Sequence, residues 1–281
     1  MQSATLRRAF GLPEQSRQIK EILSISLRTA LSKPPASRHG ADMSAMFEEL
    51  DYAPTPIGPI SLRRRHILAL KTDVFEILLG EEHLMSSLFT ASEVALADMG
   101  LAALTGGDLD VLVGGLGLGY TAQAALAHDT VAQLTVVDLL EPVIRWHKEG
   151  LVPMKTELAT DPRCQLVQGD FFALASSDSG FDAHQPARKY DAILIDIDHT
   201  PERLLHGGSK GFYTADGLRG LQRFVKPGGV VGLWSDEAPD EAITALLGEA
   251  FDEAWAEPVV FANPLQDGRE VTQAVYLGRK A

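Results

Sequence analysis

One cysteine, Cys164, occurs in 281 residues. A single thiol closes no internal disulfide and supplies no Cys-based zinc site. Long apolar runs are missing as well: none approaches the roughly 20 residues of a membrane-spanning helix, so no membrane partner is expected. Basic side chains are in short supply, 25 against 38 acidic ones, and the net charge is −13. Such a field repels phosphate backbones, which excludes a general nucleic-acid binder. The eight histidines show no HExxH or comparable ligand spacing, so no metal is expected. What remains is an ordinary globular mixture, 45% hydrophobic and 22% charged. It can bury a large core, and it excludes disorder over most of the length.

Charge and turn residues divide the chain. Residues 1–42 hold seven basic groups against three acidic ones and end in a Ser-Lys-Pro-Pro-Ala-Ser-Arg-His-Gly stretch of linker character. They lack the apolar stretch of a secretory signal, and the expected compartment is the cytoplasm. Residues 1–48 are read as a poorly ordered extension with at most one helix, near 19–31. Residues 49–86 alternate strand-forming segments with turns at 55–59 and 80–83, a small antiparallel β unit. From 87 to 281 the pattern becomes helix, strand, helix, strand. A helix over 88–104 stops at Gly106-Gly107, and a strand over 109–113 runs into glycines. A helix over 142–150 starts at proline and ends at glycine. Strands near 133–137, 164–167, 192–195 and 230–234 follow, and 258–261 with 271–277 form a closing hairpin. Alternating strands and helices predict an α/β fold, a doubly wound and mostly parallel seven-stranded Rossmann-like sheet.

The sharpest local signal is Val-Leu-Val-Gly-Gly-Leu-Gly-Leu-Gly-Tyr-Thr at 111–121. Gly114, Gly115, Gly117 and Gly119 follow an apolar strand and open a helix. Positions without side chains admit a ligand to the backbone, and a helix start offers unpaired N–H groups. The other reading of these glycines is a tight turn and nothing more. Asp138 closes the next strand, 19 residues after Gly119, where a carboxylate can accept hydrogen bonds from both ribose hydroxyls. The pattern fits a dinucleotide or an adenosyl sulfonium. Downstream residues favour the second: Asp170 and Phe171, in Gln-Gly-Asp-Phe-Phe at 168–172, can bind an adenine amino group and cover its ring. Ile-Leu-Ile-Asp-Ile-Asp-His-Thr-Pro at 193–201 places Asp196, Asp198 and His199 at the end of the fourth strand.

This ordered set resembles the spermidine synthase-like, or polyamine aminopropyltransferase, family of the adenosylmethionine-dependent methyltransferase-fold superfamily. The resemblance spans roughly residues 49–279. It implies transfer of an aminopropyl or related alkyl group from a sulfonium donor, decarboxylated S-adenosylmethionine or S-adenosylmethionine, to a polyamine-like amine. It also implies a cytoplasmic enzyme that uses no metal and forms a homodimer. Asp138 matches the family's ribose-binding acid, Gly169-Asp170 its adenine-site pair, and Asp196 the strand-four acid that receives or orients the amine proton. The family's next aspartate falls on His199, with Asp198 one residue earlier; both can equally begin a loop. Its glycine-loop aspartate, which holds the amine of the aminopropyl chain, falls on Gly117, and no acid lies between 111 and 128. Glu93 stands near a substrate-pocket signature that is otherwise absent, and a solvated helix position is its other reading. Two further functions stay open: methyl transfer from S-adenosylmethionine, and non-catalytic nucleoside binding. Trp146 and His147 are read as packing residues, the basic run 63–66 as a solvated patch, and Tyr213 as either a pocket or a core aromatic.

Overall fold

The computed structural model describes residues 46–197 and 207–281. The extension with its expected helix, and both Asp198 and His199, lie outside the described residues. Strands β1 (Phe47–Ala53), β2 (Ile60–Ile67), β3 (Thr72–Leu79) and β4 (Glu82–Ser86) pair in sequence order as an antiparallel sheet. Gly80 makes the tight turn between β3 and β4 with φ +60°, a backbone angle that suits a residue without Cβ. The basic run of β2 is not a bare patch. Arg63, Arg64 and Arg65 reach Glu49, Glu48 and Glu76 at 3.4, 2.6 and 2.6 Å, so neighbouring strands neutralise it.

Helix α1 (Ala91–Ala102) leads into the second sheet. There β5 (Leu109–Gly114), α2 (Tyr120–Ala127), β6 (Val131–Asp138), α3 (Glu141–Glu149), α4 (Glu157–Thr160) and β7 (Cys164–Gln168) form its first half. The second half is α5 (Phe171–Ser176), β8 (Tyr190–Ile195), α6 (Ala215–Leu221), β9 (Val225–Ser235), α7 (Glu241–Ala250), β10 (Glu253–Asn263) and β11 (Arg269–Arg279). The sheet order is β10-β11-β9-β8-β5-β6-β7. Strands β7, β6, β5, β8 and β9 run parallel, and the terminal hairpin adds antiparallel to β9. This is the expected doubly wound sheet. Both faces are covered, so the central strands are apolar over most of their length and still sort by parity. Val111, Val113, Val136 and Leu194 enter one core; Leu112, Val137, Ile193 and Ile195 enter the other.

The strands exceed the sequence expectation where pairing carries them onward. Lys-Pro-Gly-Gly at 226–229, ahead of the strand expected near 230–234, lies within β9. There the Gly228 N–H donates to Lys280 O at 2.8 Å, and the Lys280 N–H donates to Gly229 O at 3.0 Å. Among the described residues no helix is long and apolar enough to cross a membrane.

The strand order reverses at β5, which has β6 on one side and β8 on the other. Ligands of such sheets bind beyond the carboxyl ends of the strands at this point. The four-stranded sheet is tied to α3 close by. A register shift in β1 between Glu49 and Asp51 marks a bulge, a feature that re-aims side chains. Asp51 Oδ2 accepts hydrogen bonds from Arg145 and from the indole N–H of fully buried Trp146, both at 2.6 Å. Replacing Asp51 by alanine leaves a buried indole N–H without its acceptor. The expected loss is about 1–3 kcal/mol, read as a fall of several degrees in Tm for a chain of this size. An unchanged Tm would show that the bridge contributes nothing.

Candidate active site

The glycine loop is built around close approaches. A Cβ on Gly115, where φ is +92°, would lie 2.0 Å from the carbonyl oxygen of Asp196. Side-chain-free backbone is therefore required for the end of β5 to pass the end of β8. The Asp196 N–H reinforces that crossing by donating to Gly114 O at 2.8 Å. Gly114 abuts the Phe171 ring, and Gly119, which caps α2, abuts His147, Met154 and Leu158. The fully buried His147 donates from Nε2 to Gly117 O at 3.0 Å, and burial lowers its pKa, so the neutral ring steadies the loop.

Asp138 ends β6 beside this loop. Its Oδ2 accepts from the Leu116 N–H at 2.9 Å and its Oδ1 from the Leu140 N–H at 2.8 Å. Burial pushes its pKa up, while the N–H groups of Leu140, Leu116 and Gly117 oppose that shift. With three N–H donors on two oxygens, the carboxylate keeps a lone pair for a ligand hydroxyl. Asp170 is exposed and caps α5 by accepting from the Phe172 and Ala173 N–H groups at 3.0 and 3.1 Å. Phe171 is 2% exposed, with its ring 4.9 Å from Phe181. Phe172 is less buried and rests edge-on against Phe212, with Tyr213 alongside. Asp138, Asp170, both phenylalanines, Gly115, Gly117 and Asp196 all line one cleft.

At the far side of the crossing, Thr121 in the first turn of α2 donates its hydroxyl to Asp196 Oδ2 at 2.6 Å. Glu93, on α1, lies close behind. It is 6% exposed and also lines the cleft. Burial drives the pKa of Asp196 upward against the Thr121 bond. Burial, and then the charge of Asp196, drives Glu93 upward against its Ser92 bond. Ser92 Oγ stands 2.8 Å from Glu93 Oε2 and 2.6 Å from Gln273 Oε1, and one hydroxyl proton serves only one of them. A proton on Glu93 donated to Ser92, with that of Ser92 passed to Gln273, satisfies the chain. The pair thus holds one proton more readily than two isolated carboxylates would.

Sequence reading named Glu93 only as one of two alternatives and missed Thr121 and Met85. Glu93 did carry a signal. On α1 it shares the buried stripe Glu93, Leu96, Ala97, Gly100 and Leu101, a helical spacing in which a lone acid faces the interior. Met85, on β4, places Sδ 2.8 Å from where a Gly117 Cβ would stand, and that sulfur accepts the Leu118 N–H at 3.1 Å. The thioether therefore fills the space an acid at 117 would need. Trp146 and His147 are packing residues, as expected.

Sheet order, glycine crossing and carboxylates at the strand ends define a doubly wound α/β protein with its ligand cleft at the topological switch point. Residues 90–241 match the spermine/spermidine synthase domain, and the chain belongs to that family. It is 29% identical over 150 residues to polyamine aminopropyltransferase 2 of Pseudomonas aeruginosa, covering 51% of this chain and 40% of that one. It is 30% identical over 132 residues to the polyamine aminopropyltransferase of Pyrobaculum islandicum, covering 47% and 44%. The chain thus spans less than half the length of these curated relatives. Among solved structures it resembles a spermidine synthase in complex with the transition state analogue AdoDATO, with TM-score 0.61 and 15% identity over 83% of this chain and 74% of that one. The Thermotoga maritima spermidine synthase gives TM-score 0.60 and 16% identity, covering 83% and 72%. At such identities the likeness shows the fold.

Glu93 makes the stability of the chain depend on pH with a definite sign. Its folded pKa is raised, so the stability it contributes below the ordinary carboxylate range is lost as pH climbs through the raised value. Glu93→Gln removes that loss. Melts from about pH 4 to about pH 9 should show the variant gaining on the wild type as pH rises, and parallel curves would refute the buried acid.

Proposed function

We propose that the chain transfers an aminopropyl group from decarboxylated S-adenosylmethionine to an amine, releasing methylthioadenosine. Family membership and the names of the curated relatives support this reading. The observation that carries it is the half-buried Asp196 carboxyl, held by Thr121 and backed by Glu93 at the mouth of the β5–β8 crossing.

Asp138 and Asp170 suit the nucleoside end, with lone pairs left for ribose hydroxyls and an adenine amino group. Gly115 and Gly117 bring the loop backbone to the edge of the cleft, and Phe171 and Phe172 supply the aromatic wall. The amine lone pair attacks the carbon next to sulfur. A C–N bond forms, the C–S bond breaks, and its electron pair stays on sulfur, which becomes neutral. The nitrogen turns cationic and gives up a proton. Asp196 is the group in place to take it, and burial raises its pKa toward values useful for general base work near neutrality. Its charge also favours the cationic nitrogen as it develops. A donor without a carboxylate suits a cleft lined by Glu93, Asp138, Asp170 and Asp196, because a further negative charge would be repelled. We place the enzyme in the cytoplasm, a compartment in keeping with a lone Cys164.

Incubation of the purified chain with both sulfonium donors and an amine panel, read by mass spectrometry, tests the reading. Methylthioadenosine supports it; adenosylhomocysteine would indicate methyl transfer, and tight nucleoside binding with neither product a non-catalytic protein. Asp196→Asn keeps the shape but removes the proton acceptor. Its turnover should fall about 10²–10⁴-fold with little change in methylthioadenosine affinity, and near-normal turnover in the folded variant would remove Asp196 from the chemistry.

A further inference from the structure

We propose that Glu93 binds the ammonium end of the donor's aminopropyl chain, in place of the glycine-loop acid that this chain lacks. The inference rests on the transfer reading above and gives a ligand to the one cleft carboxyl which that reading leaves without one. Of the four acids that line the cleft, Asp138 and Asp170 serve the nucleoside end, and Asp196 takes the acceptor's proton. Glu93 remains, 6% exposed and part of the same lining. At Gly117, where the family's acid falls, Met85 Sδ fills the space beside a Cβ. The loop side of the donor chain is therefore apolar. So are the other side chains that the β unit sends to this wall of the cleft, Ile57, Ile60, Ile77 and Leu84. Methylenes of the donor gain by burial along such a surface, and the charged end needs an acid beyond it.

The surroundings of Glu93 call for a cationic ligand. Among the described residues no lysine, arginine or histidine lines the cleft. The ionisable groups that act on Glu93 from elements packed against α1 are Asp196 at the end of β8 and Tyr120 on α2. Gln273 on β11 is neutral, and Glu253 and Glu257 of β10 are exposed. Beyond Trp234 of β9, Asp236 and Glu237 have partners of their own and stand outside the lining. Burial, and then the charge of Asp196, keep the Glu93 proton on above the ordinary carboxylate range. An arriving ammonium supplies the missing counter-charge and reverses that preference. The step is a balanced exchange: Glu93 releases its proton to solvent, and its ionised oxygen accepts an N–H of the ammonium. Ser92 accommodates both states. Its Oγ lies 2.6 Å from Gln273 Oε1 and 2.8 Å from Glu93 Oε2, so its rotatable proton serves Gln273 while Glu93 is protonated and Glu93 once it is ionised.

The test is calorimetric binding to the full chain of decarboxylated S-adenosylmethionine and of methylthioadenosine, which lacks the ammonium. Glu93→Gln should weaken the donor about 10–100-fold, the loss of a charge-assisted hydrogen bond, and leave methylthioadenosine within about twofold. In buffers of different ionisation enthalpy near neutral pH, the wild type should release about half a proton or more per donor bound, and far less with methylthioadenosine. This count uses the wild type alone and holds whether or not the variant folds. Glu82 pairs with Leu79 on the face of the sheet that carries Ile77 and stands outside the lining; Glu82→Gln is the control and should leave both affinities unchanged. A loss shared by both ligands, an unchanged donor affinity in Glu93→Gln, or donor binding without proton release would overturn the proposal. So would a like loss from Glu82→Gln, or a Glu93→Gln defect confined to the acceptor's KM. Donor binding as expected, with no methylthioadenosine released on adding an amine, would overturn the transfer reading and leave the Glu93 site standing.

Discussion

The passage of β5 over the end of β8, possible because residue 115 has no Cβ, is the constraint from which the rest of the site follows. With the Asp196 carbonyl 2.0 Å from where that Cβ would stand, no other residue type lets the two strand ends meet in this way. The hydrogen bond from the Asp196 N–H to Gly114 O fixes the register of the crossing. The same crossing brings the Asp196 carboxyl to the first turn of α2, where Thr121 bonds it. It also sets the loop so that the Leu116 N–H meets Asp138 at the end of β6. Two carboxylates with separate uses are therefore positioned by one backbone contact.

That contact brings Asp196 and Glu93 together, and their proximity opposes stability. Two acids in one desolvated place are costly to ionise together, and nothing in the fold requires Glu93 to be an acid. The other buried positions of α1 beyond its first turn, Leu96, Ala97, Gly100 and Leu101, carry no charge. A charged pair kept against its own folding cost is the pattern expected where chemistry needs a shifted pKa. The Ser92–Gln273 chain is what makes the arrangement tolerable, since it gives the retained proton a defined place.

Most of the architecture was legible in the sequence because its signals are local. Apolar runs buried on both faces, glycines opening a helix, and a helix with proline near its start and Gly150 in left-handed geometry at its end are each contained within a dozen residues. The spermidine synthase resemblance likewise rested on motifs with fixed internal spacing, and the domain match over 90–241 agrees with it. The cleft was legible only in part. Asp196, Asp138, Asp170, Phe171 and four glycines were singled out from strand ends. The structure brings the first four with Gly115 and Gly117 to one cleft, while Gly114 and Gly119 pack against neighbouring side chains. Their partners were not visible, because Thr121 reaches Asp196 across 75 positions and Met85 reaches Leu118 across 33. No periodicity reports such a meeting. Glu93 was the exception, since its place in a buried helical stripe was written in the sequence and a solvated position was weighed against it.

The β unit carries the remaining step. In the family that this chain resembles, the glycine-loop position held by Gly117 carries an acid that grips an amine, and here the thioether of Met85 fills that space instead. The two positions are linked in physical terms: with φ +46° and sulfur at 2.8 Å, a side chain at 117 is strained and requires the Met85 thioether to move. Strand alternation then extends the apolar character along the wall. In β3 the inward Ile77 and outward Glu76 are neighbours, and cross-strand pairing to Leu62 and Arg63 locks which of them faces the cleft. A register slip of one residue would turn Glu76 inward and break its ion pair with Arg65. The ion pair between Arg65 and Glu76 thus lies on the side of β3 away from Ile77. Stability of the small sheet and the apolar nature of the wall are consequences of the same pairing.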